Sequence, residues 1–268
     1  MLDDLTLINM DLPRSWDRLR VYFLGDLHVG SKQFNETAVR KMVKIIADDE
    51  QSCVAVCGDC ADFGLKNSKT NVYESTIPNP KDQLMYVKEL LDPIASKISA
   101  FVPGNHEYRI TRETGLCPGY DLCVLWGIQE RYRENLAITK YSFGSIRGKS
   151  RKVTFIGLTS HGTSRNKSHK FVTSSFDNAD FSATGHCHSP WYVPDGKIKI
   201  DPINSTAKWC PFAEVIVNPT LTPGGYGLKN QYELAAPPEL QYLELYMDYD
   251  TDENRTQRRI MNYHSIKV

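Results

Sequence analysis

Three short apolar runs constrain this chain most, because each stops abruptly at a polar loop carrying Asp, or Asn and His. Residues 19–24, apart from Arg20, and 53–57 form apolar runs rich in aliphatic, β-branched or aromatic residues, and they end at Gly25-Asp26 and Gly58-Asp59. Both read as buried strands that terminate in a functional loop. Between them Val39, Met42, Val43 and Ile46 recur at helical spacing behind the polar start Asn35-Glu36-Thr37, so the unit reads as a βαβ crossover. A second helix is expected to carry Leu84, Val87, Leu91, Ile94 and Ile98 on one stripe, kinked or split at Pro93. It leads into a short strand, 100–102, and then into a polar loop, Pro103-Gly104-Asn105-His106-Glu107. Three consecutive strands thus deliver Asp, Asp and Asn-His at their carboxyl ends, where open α/β sheets gather their ligands.

After an expected helix at 121–132 the pattern becomes strand-rich. Strands are expected at 153–158, 181–184, 213–217 and 240–247, with a hairpin turning at Pro194-Asp195-Gly196. In the last strand Leu243, Leu245 and Met247 alternate with Glu244, Tyr246 and Asp248, which marks one buried face. The expected fold is α/β, two packed β-sheets with helices outside. The 268 residues, 41% of them hydrophobic, suffice for one large domain with a sizeable core. Residues 219–239, rich in Gly and Pro, read as a long loop able to act as a lid.

The 32 basic and 32 acidic residues cancel, so no global field draws the chain to nucleic acid or to an anionic membrane. A nucleic-acid substrate would have to be gripped locally. The first nineteen residues contain no long apolar run and are acidic before the first basic residue, which reads as neither signal peptide nor membrane anchor. Seven cysteines, an odd number without a spaced framework, suit a reducing cytoplasm. Cys57-Gly58-Asp59-Cys60 fits a C-x-x-C pattern, but no second such pair follows, so Cys57 reads as a strand residue and Cys60 as a loop residue.

Five of the seven histidines fall at expected strand ends; His169 and His264 read as ordinary surface or core residues. Asp26-Leu27-His28 and His186-Cys187-His188 are both x, x+2 pairs, which in an extended segment point to one side and can converge on one ion. A mixture of carboxylate, imidazole and carboxamide suits Mn, Fe or Zn better than Ca or Mg, and manganese is the first expectation.

Five blocks, in order, carry a resemblance: Gly25-Asp26-Leu27-His28-Val29-Gly30, Gly58-Asp59-Cys60-Ala61-Asp62, Gly104-Asn105-His106-Glu107, Ser160-His161-Gly162 and Gly185-His186-Cys187-His188. Together they resemble the calcineurin-like metallophosphoesterases. The resemblance implies a four-layer α/β/β/α sandwich of two mixed sheets and a centre of two divalent metal ions. It implies that Asp26, His28 and His188 hold one metal, that Asn105, His161 and His186 hold the other, and that Asp59 bridges them. Between two cations about 3.5–4 Å apart a water loses its proton near neutral pH and attacks phosphorus in line. By the same resemblance His106 protonates the leaving oxygen or stabilises its charge, and Asp62 orients His106. Gly64-Leu65-Lys66-Asn67-Ser68 and Gly224-Gly225-Tyr226-Gly227 are similar to segments of small metallophosphoesterases encoded in phage and prophage genomes, which would make the host cytoplasm its location. In that case Lys66 or Tyr226 would contact substrate; the alternative, and first, reading is a turn lysine and a packed loop tyrosine.

The chain departs from the protein phosphatase branch at Asp62-Phe63-Gly64, where that branch has an arginine after the aspartate. Arg109 and Arg112 are candidate substitutes for binding the substrate phosphate. The leading expectation is a phosphodiesterase or nuclease-type enzyme acting on nucleotides or nucleic-acid ends, with no membrane and no obligate protein partner. A phosphomonoesterase, including a phosphoprotein phosphatase, is the alternative. The competing class is a non-catalytic module, as in a retromer subunit that keeps this fold for protein binding while losing key site residues; here His106 and every expected ligand are present.

Overall fold

The computed structural model describes residues 5–66, 68, 73, 75–147, 150–162, 176, 178–222, 237–249 and 257–268, without the side chains of residues 201 and 257. In chain order the elements are β1 (Ile8–Asp11), β2 (Arg18–Leu24), α1 (Glu36–Asp48), β3 (Ser52–Val56), α2 (Pro80–Leu91), β4 (Ile98–Phe101), α3 (Asn105–Thr114), α4 (Pro118–Leu125), β5 (Leu136–Phe143), β6 (Val153–Ser160), β7 (Phe181–Thr184), β8 (Trp191–Asp201), β9 (Thr206–Ile216), β10 (Glu239–Tyr249) and β11 (Gln257–Lys267). They form two mixed sheets with flanking helices: five strands in the order β11-β10-β2-β3-β4 and six in the order β1-β5-β6-β7-β9-β8.

After Arg18 and Arg20, which are half-buried, β2 is apolar and buried from Val21 to Leu24, which follows from its place between layers. Leu19, Val21 and Phe23 face the other sheet, among Tyr141, Phe143, Phe155, Phe181, Leu243 and Leu245. Tyr22 and Leu24, on the opposite face, lie under the helices with Val39, Met42, Ile46 and Leu91. A strand covered on both sides has no solvent face to alternate toward. The β2-α1-β3 unit is the expected parallel crossover, with Leu24 beside Val56. Asn35 caps α1 by accepting the Ala38 N–H at 3.1 Å. Pro93 splits the second helical stripe: α2 ends at Leu91 and a 3-10 turn, Asp92–Lys97, carries Ile94 into the core before Ile98 opens β4.

Several sequence expectations need correction. Pro194-Asp195-Gly196 is not a turn but lies within β8, and the chain reverses at 202–205. Gly196 is there because the Trp209 indole crosses it; a Cβ at 196 would sit 2.2 Å from that ring. Pro194 is tolerated because β8 is an edge strand. The helix expected at 121–132 begins earlier, with Pro118 at its first position, and is followed by a separate 3-10 turn, Gln129–Arg131. Residues 105–107 are not loop but the first turn of α3. Strands β1, β5 and β11 were not expected: β1 is short, and β5 and β11 carry a polar face that blurs their alternation. Most of the expected lid, with Tyr226, lies outside the described residues, as does His169. Among the described residues no helix is long and apolar enough to cross a membrane.

Candidate metal centre

Five strand ends from both sheets meet at one place. β2 runs into Asp26 and His28, β3 into Asp59, β4 into Asn105 and His106, β6 into His161, and β7 into His186 and His188. Asp26, His28, Asp59, His186 and His188 all have left-handed backbone, with φ of 50°, 51°, 50°, 70° and 51°. The x, x+2 pairs are therefore not extended, contrary to expectation. Such conformations cost about 1–3 kcal/mol each for non-glycine residues and persist where the surroundings over-determine them. Here the loops after β2 and β3 hold each other: the N–H groups of Asp26, His28 and Val29 donate to the carbonyls of Gly58, Asp59 and Cys60 at 2.9, 3.0 and 3.0 Å.

The side chains gather in two groups around Asp59. In the first, His188 Nε2 lies 3.2 Å from His28 Nε2 and 3.3 Å from Asp26 Oδ1. In the second, His161 Nε2 lies 3.1 Å from Asn105 Oδ1 and 3.3 Å from both His186 Nδ1 and Asp59 Oδ2. Asp59 Oδ2 is also 3.9 Å from His28 Nε2, so this carboxylate stands between the groups. Asp26, His28 and His188, and likewise Asp59, His161 and His186, present ligand atoms within 4.8 Å of one another. His186 and His188 thus belong to different groups, although they are neighbours in sequence. Imidazole nitrogens converging with carboxylate and carboxamide oxygens at these separations form a donor set suited to divalent cations. The residues fit such ions.

The tautomers are fixed from behind. His161 Nδ1 donates to the Cys57 carbonyl at 2.7 Å, which leaves Nε2 for the centre. His106 Nδ1 donates to the backbone carbonyl of Asp62 at 2.6 Å, and the Asp62 carboxylate lies 3.5 Å away. The closer contact from residue 62 to His106 is therefore main-chain. His106 Nε2 faces Asp59 Oδ2 at 3.8 Å, and His106 also forms a ligand-type group with His28 and Asp62.

Burial and neighbouring charge divide the titrating groups. Burial, with His106 adding repulsion, pushes His28 well below its ordinary value. Burial also opposes charge on Asp59 and His161, but their mutual attraction prevails: Asp59 is held well below the carboxylate range and His161 is raised to about 10. Cys57 and Cys60 are buried free thiols, both pushed up by burial; Cys57, expected in a strand, lies one residue past the end of β3, and Cys60 is in the loop as expected.

Two supporting residues had no role in the sequence reading. Glu107 is fully buried; its Oε2 accepts from Asp59 N at 3.0 Å and Gly104 N at 2.8 Å, and its Oε1 from Cys60 N at 2.8 Å. It clasps the Asp59 loop to the start of α3. The loops touch so closely that a Cβ on Gly104 would lie 2.0 Å from Asp59 Oδ1. A glutamate at the third position of a helix was the available signal. Gln83 accepts from Phe63 N at 2.8 Å and donates to Ile77 O at 2.6 Å, fixing α2 to the loop after Asp62. Its signal was a polar residue on the buried stripe that continues through Val87 and Leu91.

The two arginines differ. Arg109 Nη1 donates to the carbonyls of Asp62 and Phe63 at 3.2 and 3.3 Å, and Nη2 lies 3.4 Å from His106 Nε2. From α3 it reaches the loop where the protein phosphatase arginine is missing. Arg112 is exposed and lines, with Asn105, Tyr108 and His161, a cleft of about 590 Å³ beside the second group.

The sequence model of the calcineurin-like phosphoesterases matches residues 19–211. The chain belongs to that family. Among curated proteins none matches this phosphoesterase-family chain significantly. Similar solved structures include a metallophosphoesterase from Sphaerobacter thermophilus, 15% identical over 93% of this chain and 89% of that one, TM-score 0.37. Vps29 from Chaetomium thermophilum is 11% identical over 94% and 98%, TM-score 0.39. NAD nucleotidase from Haemophilus influenzae is 11% identical over 85% of this chain and 47% of that one, TM-score 0.37.

Proposed function

We propose that the chain is a hydrolase of phosphate esters that depends on two divalent metal ions, acting as a phosphodiesterase on nucleotides or nucleic-acid ends. Asp26, His28 and His188 hold one ion, Asn105, His161 and His186 the other, and Asp59 serves both. The observation that carries this reading is the position of Asp59 Oδ2 between the two groups, 3.3 Å from His161 and 3.9 Å from His28. Manganese is the first candidate, with iron and zinc compatible with the same nitrogen and oxygen donors. When bound, such ions lower the proton affinity of water and take up charge developing at phosphorus.

The remaining work falls to the chain. With the His106 Nδ1 proton committed to Asp62 O, the proton His106 can pass to a leaving oxygen is the one on Nε2, which faces the centre. Asp62 and Arg109 hold that ring in place, since Arg109 braces the 62–63 carbonyls and approaches Nε2. The buried floor of Asp26, His28 and Asp59 leaves Asn105 exposed, so substrate enters from the Asn105 side. The reading is tested by supplying manganese to metal-stripped protein and comparing bis-p-nitrophenyl phosphate with p-nitrophenyl phosphate. Faster diester hydrolysis supports a phosphodiesterase; faster monoester hydrolysis makes it a phosphatase; turnover of neither leaves a non-catalytic module.

A further inference from the structure

We infer that the site takes a phosphodiester strand carrying more than one phosphate, with a second phosphate held by Arg112 and Lys66. The inference rests on the phosphoesterase reading of the centre and goes beyond it in naming what lies next to the scissile group. The cleft lined by Asn105 and His161 is also lined by Arg109 and Arg112. A second cleft, of about 470 Å³, is lined by Lys66, Ser68 and Glu113, and the same two arginines form its wall. The clefts therefore meet at a pair of guanidinium groups three residues apart on α3, a spacing that makes them neighbours on one helix face.

Only one of the pair has its hydrogen bonds committed to protein. Arg109 is anchored to the 62–63 carbonyls, whereas Arg112 has no hydrogen bond or ion pair among the described residues. Lys66 projects from a turn closed by Ser68 N–H donating to Leu65 O at 2.9 Å, is exposed, and likewise has no anionic partner among the described residues. A chain of zero net charge has no global field for polyanions, so a local cluster of three cations at the junction is what would select them. Two carboxylates are nearby. Glu134 accepts the Tyr108 hydroxyl at 2.8 Å. Glu113, in the second cleft, repels phosphate but accepts from a sugar hydroxyl or a base amino group, so it faces the nucleoside rather than the phosphate. A small monoester would reach only the first cleft; a strand extends past Arg112 into the second.

The test uses 5′-fluorescein tetrathymidylate and a set of the same oligomer with one linkage at a time made a neutral methylphosphonate. Each is titrated by anisotropy, in calcium buffer at low salt, into wild type and into Arg112→Gln/Lys66→Gln. In wild type two different linkages should each raise Kd about tenfold when neutralised; in the variant only one should. Equal sensitivity of wild type and variant, or a single sensitive linkage in wild type, overturns the inference. Hydrolysis of bis-p-nitrophenyl phosphate by wild type without a second sensitive linkage removes the subsite and leaves the hydrolase. Two sensitive linkages in a protein that hydrolyses no ester do the reverse.

Discussion

The Glu107 carboxylate accepts the backbone N–H of Asp59 at 3.0 Å, so the carboxylate proposed to serve both metal ions is positioned by a second, fully buried one. Glu107→Gln replaces an acceptor oxygen with an NH2 that must face backbone N–H groups. The variant should lose about 1–3 kcal/mol of stability by denaturant titration, and its manganese affinity should fall roughly ten- to a hundredfold by calorimetry. Unchanged manganese affinity in a folded variant would limit Glu107 to a structural role.

His106→Ala should keep both metal ions yet slow turnover of an ester with a poor leaving group by roughly a hundredfold or more, because the Nε2 proton is lost. The loss should shrink for p-nitrophenyl leaving groups, which need little protonation. Normal turnover of an alkyl phosphodiester by this variant would remove His106 from the chemistry.

The raised value of His161, about 10, fixes the sign of a pH effect in metal-free protein. A group whose folded value exceeds its ordinary 6.5 contributes stability that is full below 6.5 and lost as pH rises through about 10. Asp59, held below 3.8, contributes above that value and loses its contribution as pH falls. Metal-free protein should therefore melt at a lower temperature as pH climbs toward 10, and His161→Gln should flatten the trend. Because an incoming cation must displace the His161 proton, manganese affinity should rise about tenfold per unit between about pH 6 and pH 8. A pH-independent affinity would contradict this.

Much of the fold was legible because its strands are buried on both faces. Residues 53–57 have no polar alternation and 19–24 only Arg20, and the Gly-Asp stop marks where each strand meets the centre. The hairpin was misread because Pro, Asp and Gly usually signal a turn; Gly196 is instead set by the indole of Trp209, a partner thirteen positions away that local pattern cannot supply. In the site, residue types and order were legible, whereas the left-handed backbone at Asp26, His28 and Asp59 was not, since it is imposed by bonds between loops. The unequal states of Arg109 and Arg112 were also hidden, because only the folded chain brings the 62–63 carbonyls to Arg109.

The most direct test of the two-ion centre is a manganese titration, with bound metal quantified, of wild type against Asp59→Asn. Two ions per wild-type chain, with affinity for both weakened and hydrolysis abolished in Asp59→Asn, is the predicted result; a variant that still binds two ions with wild-type affinity and turns over substrate at the wild-type rate would contradict it.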